Sequence, residues 1–83
     1  MPKLTLVAVF YNEEQKLPGF FRNVRGLPDE IVAVDCGSSD RTREICTANK
    51  AEVIRSPLRF FETNIHRALD QVNTEWVLIL DAD

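Results

Sequence analysis

Acidic and polar side chains follow three of the four apolar runs in this 83-residue sequence. Residues 11–14 follow the first run, Asp35 follows the second, and Asp81 and Asp83 follow the last. Carboxylates that gather at one edge of a sheet repel each other unless a cation lies between them. Hard divalent ions such as Mg²⁺ and Mn²⁺ prefer carboxylate and phosphate oxygens. If the runs are parallel strands, the pattern predicts a site for a nucleoside diphosphate bridged by a divalent metal.

Each of these acidic groups also has a purely structural interpretation. Asp35 alone is typical of a strand end that begins a turn. Glu13 and Glu14 lie near the start of a predicted helix, where acidic residues stabilise the helix dipole. A single Asp-x-Asp pattern such as Asp81 with Asp83 also occurs by chance. The functional interpretation therefore depends on the combination of these residues in one alternating chain.

The elements that must position these residues alternate along the chain. Runs of β-branched and apolar residues predict strands buried on both faces, and apolar residues at helical spacing lie between them. The predicted strands are 4–10, 30–35, 52–55 and 75–80, and the predicted helices are the segment with Leu17, Phe20, Phe21 and Val24 on one face, residues 41–50, and the segment with Phe61, Ile65, Ala68, Leu69 and Val72 on one face. The order β-α-β-α-β-α-β predicts an α/β fold with a parallel sheet and right-handed crossovers.

Residues 1–83 are predicted to form one unit, since no linker, repeat or low-complexity segment interrupts them. The last predicted strand delivers Asp81 and Asp83 to its carboxyl end, and the sequence then stops. We therefore expect these residues to be the first part of a larger fold. Phe60, Phe61 and Trp76 are predicted to be core or core-edge residues.

The remaining candidate ligands have structural interpretations. His66 lies beside the apolar face of the third predicted helix, so a position on the helix surface is favoured over a contact with a phosphate or ribose near the strand ends. Two cysteines and one histidine are too few for a four-ligand zinc site. Cys36 and Cys46 are predicted to be reduced and semi-buried, and no neighbouring group in the sequence indicates that Cys36 is an activated nucleophile.

The composition excludes several classes of function. Ten basic and 13 acidic residues give a net charge of −3 and a pI of about 5.1, so bulk charge does not favour nucleic acid as a partner. The longest apolar stretches, 6–10 and 76–80, are too short to span a bilayer. The first strand begins almost at Met1, without a separate signal peptide, which predicts a cytoplasmic location. The sequence also lacks the GxGxxG and P-loop patterns.

Three motifs together resemble the family 2 glycosyltransferases, which have the GT-A fold. They are YNEE at residues 11–14, EIVAVDCGSSDRT at residues 30–42 and WVLILDAD at residues 76–83. The resemblance covers the whole chain in order and at the spacing of the family. It implies that residues 1–83 are the Rossmann-like nucleotide-sugar-binding half of a GT-A fold, truncated after the DxD strand.

The resemblance also implies a set of roles. The donor would be a nucleotide sugar, usually a UDP-sugar, and the acceptor a hydroxyl group of a glycan, lipid or polysaccharide. Asp83 would be the main ligand of Mn²⁺ or Mg²⁺, and Asp81 would contact ribose or the metal. The implied nucleotide-sugar-binding residues are Phe10, Tyr11, Asn12, Glu13, Asp35, Cys36, Arg67 and Asp81. The catalytic base and the acceptor region would lie beyond Asp83, so this chain alone is predicted to be inactive.

The sequence departs from the family pattern at two places in this set. Cys36 stands where a second Asp or an Asn often faces the base. Ile65 and His66 stand where the family commonly has an Arg-Asn pair near the diphosphate, and Arg67 or His66 is the predicted substitute.

Two other functions remain open at this stage. One is a non-catalytic nucleotide-binding fragment or module whose sheet is completed by a partner chain. The other is a haloacid-dehalogenase-like phosphatase, in which Asp81 would be the nucleophile. A membrane anchor further along the full-length protein also remains open.

Overall fold

A computed structural model of the chain describes residues 3–82. Four strands alternate with three helices in the predicted order. The strands are β1 (Leu4–Phe10), β2 (Glu30–Asp35), β3 (Glu52–Arg55) and β4 (Trp76–Ile79). The helices are α1 (Leu17–Val24), α2 (Thr42–Ala48) and α3 (Phe61–Leu69). Within residues 3–82, no helix has the length and apolar character that crossing a membrane requires.

The four strands form one parallel sheet in the order β3-β2-β1-β4, which confirms the predicted α/β class. Val7 of β1 pairs with Val32 of β2 on one side and with Ile79 of β4 on the other. The chain moves outward from β1 to β3 and then crosses to the opposite side of β1. The β1–β4 boundary is therefore the topological switch point, where α/β proteins bind ligands beyond the carboxyl ends of the strands.

The core lies on both faces of the two central strands. On one face, Leu6, Ala8 and Phe10 pack with α1 and α2. On the other face, Val7 and Val32 pack with α3. Burial on both faces explains why β1 is apolar throughout rather than alternating. The four residues predicted to form the apolar face of α1 are all buried.

The predicted buried face of α3 is partly wrong. Ile65 and Ala68 are buried as predicted, but Phe61 and Leu69 are 50% and 37% exposed. Asn64 is fully buried in their place. The helix is turned so that Asn64 faces the sheet, which rotates Leu69 toward solvent, and Phe61 lies at the first residue, where neighbouring elements do not cover it. Asn64 was not predicted to be in the core because it interrupts the apolar spacing.

The prediction that Trp76 and Phe60 are core or core-edge residues is also wrong. Trp76 is 62% exposed and Phe60 is 71% exposed. Among the described residues, β4 pairs only with β1, whereas α3 packs on β1 and β2. The side chains of β4 are therefore left largely uncovered, although their sequence is as apolar as that of a buried strand.

Smaller predictions are confirmed or adjusted. His66 is exposed, as expected for the surface of α3. Cys36 and Cys46 are free and buried. Desolvation by burial, followed by the charge of Asp35, raises the pKa of Cys46 to about 12, so this thiol stays protonated.

Helix α2 is shorter than the predicted 41–50, because Lys50 adopts a left-handed conformation with φ of +64° after the helix end.

Candidate functional site

Hydrogen bonds join the loop after β1 (residues 11–16) to the loop after β2 (residues 36–41). The backbone N–H of Asn12 donates to Oγ of Ser38 at 2.9 Å. In return, the backbone N–H of Ser39 donates to Oδ1 of Asn12 at 2.8 Å. Asn12 has a φ of +50°, a left-handed conformation that Asn tolerates better than most residues. Asn12 was predicted to bind the nucleotide sugar, and its amide oxygen is engaged in joining the two loops.

A second group of bonds continues the same junction toward α2. The N–H of Glu13 donates to Oγ1 of Thr42 at 2.9 Å, and the Thr42 hydroxyl donates to Oδ1 of Asp40 at 2.6 Å. The N–H of Glu14 donates to Oδ2 of Asp40 at 3.1 Å. Oε1 of Glu14 accepts the backbone N–H of Arg41 at 2.9 Å. Two of the recognised motifs therefore hold each other in place at the carboxyl ends of β1 and β2.

The junction predicts a pH dependence of stability. Desolvation by burial opposes ionisation of Asp40, but hydrogen bonds from Thr42 and from the backbone of Glu14 lower its pKa below 3.8. This stabilisation is complete above about pH 4 and is lost as the pH falls through the lowered pKa. We expect the melting temperature to fall more steeply below pH 4 in the wild type than in Asp40→Asn. Thermal unfolding between pH 7 and pH 2.5 measures this difference.

The matched control for this prediction is Asp70→Asn, which removes an exposed carboxylate at the end of α3. It should keep the acid sensitivity of the wild type. If the melting temperature fell equally steeply with pH in the wild type and in Asp40→Asn, the hydrogen bonds to Asp40 would not stabilise the junction.

Asp35 lies at the carboxyl end of β2 and is only 2% exposed. Its Oδ2 accepts a hydrogen bond from Nη1 of Arg43 at 2.9 Å in a salt bridge, and it also accepts the backbone N–H groups of Gly37 and Ser38. Its Oδ1 is buried and has no hydrogen-bond partner within residues 3–82. Asp35 therefore shapes the loop after β2 and keeps one acceptor oxygen unused. Arg43 was missed by the sequence analysis, because its partner is eight residues away.

Cys36, which directly follows Asp35, is hydrogen-bonded to the buried Asn64 of α3. Nδ2 of Asn64 donates to Sγ of Cys36 at 3.1 Å and to the backbone oxygen of Leu58 at 2.8 Å. Oδ1 of Asn64 is buried without a partner among the described residues. Burial is the largest cause that raises the pKa of Cys36, the charge of Asp35 adds to it, and Arg59 opposes it. The raised pKa favours the protonated thiol at neutral pH.

Tyr11 and Arg59 form a stacked pair at the carboxyl end of β1. The guanidinium carbon of Arg59 lies 3.9 Å from the centroid of the Tyr11 ring. Nη2 of Arg59 also donates to the Tyr11 hydroxyl at 2.7 Å. Both side chains are exposed. Arg59 was not among the predicted site residues, since nothing in the sequence connects positions 48 residues apart.

The end of β4 carries the remaining predicted ligands. Asp81 is exposed and lines a cavity of about 450 Å³ between this strand end and α1, together with Phe20, Leu80 and Ala82. Asp83, the predicted metal ligand, lies outside the described residues. Within residues 3–82, no cluster of three His, Cys, Asp or Glu side chains is arranged to hold a metal. Asp81 is thus the one predicted metal ligand that the structure locates.

Most of the predicted nucleotide-sugar-binding residues lie at the carboxyl ends of the strands, near the switch point, whereas Arg67 lies farther from it. Phe10 ends β1 and Tyr11 follows it, and Asp35 ends the neighbouring β2 and Cys36 follows it. Asp81 lies just beyond β4. Because α3 connects two parallel strands, it runs back toward their amino ends. Arg67 lies exposed in its last turn, six residues and about 9 Å along the helix from its start. Its predicted role in nucleotide binding stays a prediction.

Phe10 has an additional role that the sequence analysis did not give it. Its side chain is 1% exposed and its ring meets Phe20 edge-on at 5.4 Å. Its backbone oxygen accepts the N–H of Cys36 at 3.0 Å. The side chain therefore belongs to the core.

The strand order and the polar side chains beyond the carboxyl ends of the strands define a Rossmann-like α/β protein. Its expected ligand site lies at the β1–β4 switch point. The family model described as "Glycosyl transferase family 2" matches residues 5–83. The chain therefore belongs to glycosyl transferase family 2, a family of glycosyltransferase enzymes. The recognition made from the three motifs is confirmed, and so is the GT-A type of fold.

The individual relatives include one that is named as a glycosyltransferase. The chain is 30% identical over 84 residues to a TPR repeat-containing protein of Synechococcus elongatus. It is 30% identical over 83 residues to an uncharacterized glycosyltransferase of Rickettsia typhi. Among solved structures, it is 26% identical to glucosyl-3-phosphoglycerate synthase from Mycobacterium tuberculosis in complex with Mn²⁺, UDP-glucose and phosphoglyceric acid, with a TM-score of 0.76 over 99% of this chain.

The chain spans only part of each of these proteins. It covers 21% of the Synechococcus protein and 28% of the Rickettsia protein. It covers 34% of the Mycobacterium synthase. The likeness is thus to one region of longer proteins.

Proposed function

We propose that this chain is the donor-binding part of a glycosyltransferase that transfers a sugar from a nucleotide sugar, most simply a UDP-sugar, to an acceptor hydroxyl. The observation that carries the proposal is the switch point between β1 and β4, with Tyr11 and Asp81 placed directly beyond these strands. The Mycobacterium synthase, solved with UDP-glucose, supports a donor of this class. Residues 1–83 are proposed to be an incomplete portion of the whole catalytic domain.

The nucleoside is proposed to lie over the ends of β1 and β2. The backbone at Phe10 and Tyr11 would line the base and ribose pocket, with Asp35 and Cys36 beside it. Asp35 retains an oxygen, Oδ1, that has no partner among the described residues, and in this proposal it accepts a hydrogen bond from the nucleoside. The junction between the two loops keeps this edge rigid, so Asn12 and Glu13 contribute mainly by holding it in shape.

A divalent metal fits the donor set at the end of β4. Asp81 supplies hard carboxylate oxygens next to the switch point, and Asp83 would supply more. Mg²⁺ sites commonly combine one or two carboxylates with the phosphate oxygens of the substrate, so a three-residue protein cluster is not required. Bound Mn²⁺ or Mg²⁺ would supply positive charge that stabilises the departing diphosphate.

The residues of this chain are proposed to bind and orient the donor, and to exclude water from one side of it. The transfer step also needs a carboxylate that accepts the proton of the acceptor hydroxyl. The proposal assigns no such base to residues 1–83. The protein is proposed to act in the cytoplasm, and bulk charge of −3 still argues against nucleic acid as a partner.

The proposal predicts metal-dependent binding of UDP. Titration of the chain with UDP by calorimetry should show binding in MnCl₂ that is lost in EDTA. Asp83→Ala should weaken binding in MnCl₂ by at least about tenfold, since a lost charge-assisted contact costs about 1.5–3 kcal/mol. Asp81→Ala should weaken it by a smaller factor, because its role is shared between ribose and metal.

Asp70→Asn serves as the control, since it removes an exposed carboxylate at the end of α3. UDP binding that is indifferent both to the metal and to Asp83→Ala would contradict the metal site. The complete absence of UDP binding would contradict the proposed function itself.

Family membership decides against the phosphatase alternative with Asp81 as a nucleophile. A nucleotide-binding module completed by a partner chain is the second candidate. The uncovered strand β4, with Trp76 62% exposed and Ile79 44% exposed, favours it. Both candidates share the nucleotide site, so they differ in whether sugar transfer follows binding.

A further inference from the structure

Arg59 is held in an unusual way at the carboxyl edge of the sheet. It lies in the segment between β3 and α3, and its guanidinium stacks on the ring of Tyr11 at 3.9 Å from the centroid. The 2.7 Å hydrogen bond to the Tyr11 hydroxyl fixes one end of the guanidinium group. A long, exposed side chain is thereby held in one orientation, which an exposed arginine does not need for solubility.

Two other arginines at this edge of the sheet, Arg41 and Arg43, are paired with carboxylates, whereas the exposed Arg55 at the end of β3 has neither a carboxylate partner nor a stacking partner within residues 3–82. Arg43 is paired with Asp35 at 2.9 Å, and Arg41 is paired with Glu44 at 3.3 Å. Within residues 3–82, Arg59 has no carboxylate partner, and its side chain is hydrogen-bonded to and stacked on Tyr11. On a chain with a net charge of −3, an ordered cation without a counter-charge is a positive charge available to an anionic ligand.

The position of the Tyr11–Arg59 pair indicates which kind of anion would bind there. Tyr11 directly follows β1, one of the two strands that flank the switch point. Asn64 joins the backbone of Leu58, the residue before Arg59, to Cys36 just beyond β2, which places this segment beside the proposed nucleoside site. A guanidinium has five N–H donors in one plane, and the ring of Tyr11 covers only its face. The donors that Tyr11 does not use are therefore open to phosphate oxygens, which arginine recognises in pairs.

We propose that Arg59 binds the diphosphate of the nucleotide donor and that Tyr11 positions it for this contact. The inference rests on the proposed function, because it names the cation of the same site. It replaces Arg67 in that role, since Arg67 lies at the opposite end of α3 from the strand ends.

The experiment compares the affinities of the 83-residue chain for UDP and for uridine in MnCl₂, by calorimetry. The wild type should bind UDP more tightly than uridine. Arg59→Ala should reduce this preference by about tenfold and leave the affinity for uridine unchanged. Inorganic diphosphate should compete with UDP for the wild type and compete less well for Arg59→Ala.

Arg25→Ala is the matched control, because it removes the same charge at the exposed end of α1. It should keep the wild-type preference, which separates a local contact from a change in net charge. Tyr11→Phe retains the stacked ring and should keep most of the preference, whereas Tyr11→Ala should lose most of it. Thermal unfolding of each variant checks that it is folded.

The outcomes distinguish this inference from the function on which it rests. A preference for UDP that survives Arg59→Ala, or that is lost in Arg67→Ala instead, would overturn the role of Arg59 and leave the proposed function intact. Equal effects of Tyr11→Phe and Tyr11→Ala would overturn the positioning role of the Tyr11 ring. A wild type that binds neither UDP nor uridine would overturn both proposals.

Discussion

Phe10→Ala is expected to lower the free energy of unfolding by about 3–5 kcal/mol, which is the usual cost of removing a buried phenyl ring. Phe10 is 1% exposed and ends β1 in the middle of the sheet. Its ring meets Phe20 edge-on at 5.4 Å, and Phe20 meets Phe21 in the same way at 5.3 Å. The cavity left by alanine would open between the sheet and α1. Urea unfolding followed by circular dichroism measures the change.

The chain offers the same substitution at an exposed site as a control. Phe60 is 71% exposed, so Phe60→Ala should change the free energy of unfolding by no more than about 0.5 kcal/mol. If Phe10→Ala were as mild as Phe60→Ala, the buried ring cluster described for this face of the sheet would be wrong. Complete loss of the folded state in Phe10→Ala agrees with the expectation, because small domains have little stability to lose.

Asp35→Ala is expected to have the second large effect, a decrease of about 3 kcal/mol in the free energy of unfolding. The substitution leaves the backbone N–H groups of Gly37 and Ser38 without their acceptor, and it leaves Arg43 without its partner. Since the Arg43 side chain is 35% exposed, water compensates part of the lost ion pair. Most of the expected loss therefore comes from the turn that Asp35 organises. Urea unfolding again provides the measurement.

A double-mutant cycle separates the two contributions of Asp35. Arg43→Ala alone should cost less than Asp35→Ala, because it removes the ion pair and the hydrogen bond from Nη1 of Arg43 to the backbone oxygen of Ser38 but leaves the turn acceptor in place. The double variant should resemble Asp35→Ala. If Arg43→Ala cost as much as Asp35→Ala, the turn hydrogen bonds would contribute nothing and the ion pair everything. Glu44→Ala is the surface control for this cycle, since it breaks the exposed pair with Arg41.

Most of the secondary structure was predictable from local patterns. The predicted bounds of β1, β2 and β3 match the structure, and the apolar residues of α1 are all buried. These predictions succeeded because a strand covered on both faces must be apolar, and a helix covered on one side must show a helical period. The same reasoning failed for Trp76 on β4, where an apolar strand lies at an edge that the described residues leave uncovered.

The candidate site was predictable only in part. The order of the motifs indicated the correct edge of the sheet, because parallel strands bring their carboxyl ends together. The partners of the motif residues were not predictable. The bonds of Asn12 to Ser38 and Ser39 span more than 25 residues, and the buried Asn64 looks like a surface residue in the sequence. Such pairings depend on how a helix is rotated about its own axis and on the directions in which side chains point. No local sequence pattern encodes either property.

The sequence by itself determined the family, the alternation of strands and helices, and the edge of the sheet where chemistry is expected. These properties follow from short-range periodicity and from motifs whose residues are close together in the chain. The tertiary structure alone decided that Asp35 pairs with Arg43 and that Arg59 lies on Tyr11. The sheet order β3-β2-β1-β4 determines which loops become neighbours, and only neighbouring loops exchange hydrogen bonds and charges.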